Sequence, residues 1–276
     1  TLAAAACGGG DSGPRPLSNH FQQSYIAQLS VDEQGRLEQR ILEFIDEVRF
    51  EASRGFEVTD EMRLLVAAQA ALLVLELPGR PYRKVSSVIL HPRTVVLQGT
   101  RRVGDSGLVA DDPYPISGQA HPGGPVVLAW STLAFEARHP ERAQNVVYHE
   151  FAHQLDMLDG TTDGTPPIAD PAQRDRWIEV CTAEYRALRR GVDHVLRPYA
   201  ATDPGEFFAV VSEAFFERAA GLAQQHPADI GVRDDRHRRR RRVLAGQRPA
   251  LRPIARVGQG LVVGDRRGGD AVEADH

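Results

Sequence analysis

Apolar positions along the chain recur with two distinct periods. Between Ser30 and Phe50, Leu37, Ile41, Phe44, Ile45 and Val48 fall at helical spacing and predict an amphipathic helix. A second helix is expected after Thr59, a candidate N-cap followed by Asp60 and Glu61. It runs through Met62 to Leu77 and stops at Pro78-Gly79; being apolar on nearly every face, it is expected to be central and buried. From Lys84 to Trp130 the vocabulary changes to β-branched residues broken by Pro and Gly. Val85–Leu90, Thr94–Leu97 and Pro125–Trp130 read as short strands. Ser131 is a candidate cap for a helix through Ala137, and residues 141–158, Arg174–Arg190 and Pro204–Ala220 read as further helices, with a loop from Gly160 to Pro167. Helices, then a small sheet, then helices again make an α+β arrangement that is mainly helical.

Composition changes this picture little. With 42% hydrophobic and 25% charged residues the chain is an ordinary globular one, long enough at 276 residues for a sizeable core. No apolar run approaches the ~20 residues that a membrane span needs. Cys7 and Cys181 are too few for a disulfide framework and form no metal-ligand pair, which fits a reducing, cytoplasmic setting. The string around Cys7 has some likeness to a lipoprotein cleavage site but lacks the basic and apolar regions of a signal peptide.

Charge divides the chain. The net charge is −4, yet residues 231–276 carry twelve Arg against six Asp and Glu, so the preceding body is acidic. That argues against nucleic acid as the main business of the fold. Three segments follow: residues 1–19, a disordered or truncated lead; residues 20–230, the folded domain; and residues 231–276, a basic low-complexity tail. The run Arg236-His-Arg-Arg-Arg-Arg-Arg242 has no amphipathic period. It reads as a solvated, disordered segment, with a nucleic-acid arm or an altered reading frame as rival readings.

The chemistry is concentrated in His149-Glu150-Phe-Ala-His153. A helix of about 3.6 residues per turn sets the two imidazoles on one face, one turn apart, where both can reach one tetrahedral zinc. Glu150, next to the first ligand, can accept a proton from a zinc-bound water. Apolar Val146, Val147, Phe151, Ala152 and Leu155 indicate a buried helix. Two places compete for the third ligand. Asp159 follows His153 by six residues, but that route needs a sharp chain reversal where Asp156 stands. The other is the stretch Glu206-Phe-Phe-Ala-Val-Val-Ser-Glu213, whose two acids share a helix face, so that one can ligate while the other supports the site from behind. Phe207, Phe208, Phe215 and Phe216 would anchor that helix.

Three blocks in order, Thr59-Asp-Glu-Met-Arg with Ala-Ala-Gln, Tyr148-His-Glu-Phe-Ala-His-Gln-Leu-Asp-Met-Leu-Asp-Gly160 and Tyr199-Ala-Ala-Thr-Asp-Pro-Gly-Glu206-Phe-Phe-Ala-Val, resemble the Mlc titration factor A family over residues 20–228. These are bacterial zinc peptidases with a catalytic core similar to that of anthrax lethal factor. The resemblance implies a gluzincin-type metallopeptidase, aminopeptidase-like, with one Zn²⁺ on His149, His153 and Glu206. It implies that Tyr199 faces the metal and helps stabilise the oxyanion, and that Asp156 and Asp159 are supporting or structural. It also implies a partner, the glucose-responsive repressor Mlc, whose titration is a rival, non-catalytic function. The sequence departs from the family after His226-Pro227. The strand Pro125–Leu128, just ahead of the active helix, is expected to pair with an extended peptide substrate or to serve as a structural edge.

Overall fold

Ser30 starts the first helix with a reciprocal cap: its hydroxyl accepts from Glu33 N at 3.3 Å, while Glu33 Oε2 accepts from Ser30 N at 2.8 Å. The helix so begun, α1 (Val31–Glu47), buries Leu37, Ile41 and Phe44. It ends three residues earlier than its periodicity predicts, because the chain turns extended at Val48 and enters strand β1 (Arg49–Ala52). Thr59 caps α2 (Asp60–Leu73) as expected, accepting from Met62 N at 3.3 Å. Beyond Leu73 the apolar run continues as tight i→i+3 turns through Leu77 rather than as α-helix. The prediction of a central helix holds: every residue from Leu65 to Leu73 is buried.

The structure is a computed structural model, and it describes residues 25–222 except 54, 98–100, 104–107, 111–113, 117, 122, 193–194 and 220–221. The basic tail, the lead and Cys7 lie outside the described residues, together with the readings placed on them.

Seven more strands follow: β2 (Ser87–His91), β3 (Val95–Leu97), β4 (Arg101–Val103), β5 (Leu108–Ala110), β6 (Tyr114–Ile116), β7 (Gly118–Ala120) and β8 (Val126–Ala129). The main sheet has the order β1-β2-β8-β7. Its first three strands run parallel, with Val88 opposite Val126 and Leu90 opposite Leu128, and β7 pairs antiparallel with β8. Two short antiparallel pairs, β3–β6 and β4–β5, are nested in sequence between β2 and β7. The position of β8 corrects one expectation. Hydrogen-bonded to β2 on one side and β7 on the other, it is interior to the sheet, neither a structural edge nor open to an added peptide.

Helix α3 (Trp130–Glu136) begins two residues earlier than predicted, with Ala129 rather than Ser131 at its N-cap. The predicted helix 141–158 is shorter: a 3₁₀ turn at Pro140–Arg142 and Ala143 at φ 51° precede α4 (Val146–Asp156). Asn145 caps α4, its Oδ1 accepting from Val147 N and Tyr148 N at 3.1 Å each. Helix α5 (Pro171–Arg189), a 3₁₀ turn (Pro198–Ala201) and α6 (Pro204–Glu217) complete the order.

Helix α4 packs against α2, α6, β7 and β8 and is buried almost throughout. Phe151 on α4 meets Phe44 of α1 and Tyr82 at ring-centroid distances of 5.5 and 4.9 Å, all edge-on. On α6, Phe207, Phe208 and Phe216 are buried and Phe215 is partly so, as their spacing predicts. The molecule is mostly helical with a small mixed sheet. No helix among the described residues is long and apolar enough to cross a membrane.

Candidate metal centre

Two helix starts build the site. One turn into α4, His149 and His153 project from the same face, their rings 4.9 Å apart and nearly perpendicular. Asp203 caps α6 by accepting from Glu206 N at 2.9 Å, which sets Glu206 in that helix's first turn. Glu206 Oε2 then lies 3.1 Å from His149 Nε2 and 3.6 Å from His153 Nε2, and the two imidazole nitrogens are 3.3 Å apart.

Those separations fit a metal. Donors about 2.0–2.1 Å from a tetrahedral ion stand about 3.3–3.4 Å from one another, and the observed triangle brackets that value. Glu206 Oε2 is moreover buried without a well-formed hydrogen bond, its polar neighbours being the two imidazole nitrogens. A buried carboxylate oxygen left this way calls for a cation. Among the described residues, His149, His153 and Glu206 are the group of three whose ligand atoms converge in this manner.

The clustered donors also shift one another's protonation. Burial opposes the charge on Glu206, but the two imidazoles outweigh it and hold the carboxyl well below its usual range. Burial likewise disfavours a His149 imidazolium, yet the carboxylates of Glu206 and Glu213 on its two nitrogens raise it to about 10. Glu150, 5% exposed, is pushed above the ordinary carboxylate range mainly by desolvation. Burial, followed by the negative charge of Glu206, also raises the Tyr199 phenol. The Tyr199 ring stands 6.1 Å from that of His149, at the open side of the site.

The other acids sort by position. Glu213, 1% exposed, does not join the triangle; its Oε1 lies 2.7 Å from His149 Nδ1, and its Oε2 accepts from Asn145 N at 2.8 Å. It therefore orients the ring from behind. Asp156 is buried at the end of α4 and accepts from Gly164 N (2.9 Å) and Thr165 N (3.0 Å). Trp177 Nε1 donates to Gly164 O at 3.0 Å. Gly164 sits at φ 78°, and a Cβ there would meet Pro204 O at 2.3 Å, so this loop packs directly on the start of α6. Asp159 is exposed and accepts from Thr161 N and Oγ1, turned to its own loop.

Three participants were not singled out from sequence. Arg197 donates from Nη2 to Glu213 Oε1. Glu136, at the end of α3, accepts from Val146 N at 2.7 Å. Gly118 of β7 lies against Glu150. Each is brought in by a different element, and no local spacing in the chain announces the contact.

A family model described as glucose-regulated metallo-peptidase M90 matches residues 15–229. An uncharacterized protein of Synechocystis sp. is 35% identical over 224 residues, covering 77% of this chain and 81% of its own. Proteins named Mlc titration factor A are similar too: that of Enterobacter sp. is 31% identical over 74% of this chain and 78% of its own. That of Serratia proteamaculans is 34% identical over 63% and 68% respectively.

Proposed function

The chain belongs to the glucose-regulated metallo-peptidase M90 family, and from that premise we propose a zinc-dependent peptidase of gluzincin type, aminopeptidase-like and cytoplasmic. His149, His153 and Glu206 hold one Zn²⁺, with Glu150 as general base and Tyr199 as oxyanion donor. The observation that carries this reading is the donor triangle with its buried Glu206 Oε2. Two imidazoles and one carboxylate are a donor set suited to zinc, leaving a fourth position for the reaction. When bound, zinc supplies a Lewis acid that polarises the scissile carbonyl and acidifies a water.

The chain's own residues do the rest. Glu150 takes the proton of the attacking water; a carboxyl raised by burial then retains it long enough to hand it to the leaving amine. Tyr199, protonated at neutral pH, donates to the carbonyl oxygen as negative charge develops there. Glu213 accepts from His149 Nδ1 and keeps the Nε2 lone pair turned to the triangle. Strand β7 is one of the two edges of the sheet among the described residues and lies against Glu150. An extended peptide paired there would bring its carbonyl to the base.

Aminopeptidase action is tested with one peptide offered with a free and a blocked N-terminus; cleavage of the free form alone supports it. A second reading, titration of the Mlc repressor, is favoured by the names of the similar proteins. Pull-down of that repressor by Glu150→Gln as well as by the wild type would separate binding from hydrolysis.

A further inference from the structure

Arg197 occupies the N-cap of the 3₁₀ turn that carries Tyr199. Its Nη2 donates to Glu213 Oε1, the oxygen that faces His149 Nδ1, and lies 3.4 Å from that nitrogen itself. Its guanidinium carbon stands 5.2 Å from the centre of the Tyr199 ring. One planar group thus touches both the carboxylate behind the first imidazole and the face of the phenol. A Lys could form the ion pair or cover the ring, but its point charge has no fork to do both.

We propose that Arg197 is a positioning residue that locks two parts of the site in one geometry. With Glu213 Oε2 fixed by Asn145 N at 2.8 Å and Oε1 fixed by Arg197, the carboxylate has no freedom to rotate. The His149 ring is held by that carboxylate, so Arg197 acts on the donor triangle without belonging to it. On its other side the guanidinium anchors Tyr199. That ring is 47% exposed, and the cation on its face helps set the angle at which the phenol points. The inference rests on the metallopeptidase reading and adds a coupling between metal geometry and oxyanion support.

The test compares wild type, Arg197→Met, Arg197→Lys, Tyr199→Phe and the Arg197→Met/Tyr199→Phe double variant. Zinc affinity is measured by chelator competition, kcat and KM with a peptide, and Tm for each protein. Arg197→Met should fold, bind zinc about tenfold more weakly, and lose about tenfold or more in kcat with KM little changed. In the Tyr199→Phe background the kcat loss should shrink, because part of it acts through the phenol. Arg197→Lys should recover Tm without recovering kcat. Full recovery of kcat by Lys, or unchanged kcat and zinc affinity in Arg197→Met, would overturn the proposal while the peptidase reading stands. A wild type that neither binds zinc nor cleaves peptides would overturn both.

Discussion

Gly118 and Glu150 are in direct contact: a Cβ built on Gly118 would stand 2.4 Å from Glu150 Oε1 and 2.6 Å from its Cγ. Distances of that kind leave room for no side chain, so strand β7 offers its bare backbone to the proposed base. The same Cβ would lie 2.6 Å from Val146 Cγ2, which ties the strand to the first turn of α4 as well.

A single methyl group should therefore disturb the base and spare the metal. In Gly118→Ala, Glu150 must swing aside, and kcat/KM should fall at least about tenfold, since small displacements of a catalytic group cost rates of that size or more. Zinc content should stay near that of the wild type, because the atoms nearest the new methyl belong to Glu150 and Val146 rather than to the donors. Measured together, undiminished kcat/KM would show that β7 does not define the position of Glu150.

The third ligand can be assigned by metal analysis. Glu206→Ala removes the oxygen that faces both imidazoles and should weaken zinc binding sharply. Asp159→Ala removes contacts within an exposed loop and should leave zinc bound. Glu213→Ala should weaken it modestly, about tenfold to a hundredfold, as loss of an orienting partner does. Zinc retained in Glu206→Ala and lost in Asp159→Ala would reverse the assignment.

Glu136 predicts a pH dependence of stability. Burial, with some repulsion from Glu213, raises its carboxyl from 4.5 to about 7 despite the hydrogen bond from Val146 N. Between those values the folded chain holds a proton that the unfolded chain has released, so the contribution of this group to stability falls as pH rises. It is fully favourable below about pH 4.5 and levels off above about 7. Glu136→Gln keeps an acceptor for Val146 N and removes the titration. The Tm of Glu136→Gln relative to wild type should accordingly climb from pH 4.5 to 7 and then plateau. A difference that stays flat across this range would show that Glu136 is ionised throughout.

How far the chain discloses all this depends on the range of the contact. Local signals were legible: Thr59 and the His149–His153 spacing each act within one or two helical turns, and each falls where its pattern predicts. Helix ends were less so. The first helix yields to β1 because Arg49–Ala52 has a partner in Ser87–Leu90, which no local period records. The interior place of β8 depends on β7, whose three residues carry no alternation to mark them. In the site, Glu206 and Glu213 were readable as a pair on one helix face, and the resemblance separated their roles. Arg197, Glu136 and Gly118 enter from a turn, a neighbouring helix and a strand, so only the assembled fold brings them to His149 and Glu150.

The central claim is that a His-His-Glu metal centre works with Glu150 to hydrolyse peptides. The most direct measurement is zinc stoichiometry and peptide hydrolysis on the same purified samples of wild type and Glu150→Gln. The account predicts about one zinc per chain in both, because Glu150 is not one of the donors. It predicts hydrolysis by the wild type and a loss on the order of 10²–10⁴-fold in the variant. Equal hydrolysis by the two proteins, or a wild type that binds no zinc, would contradict it.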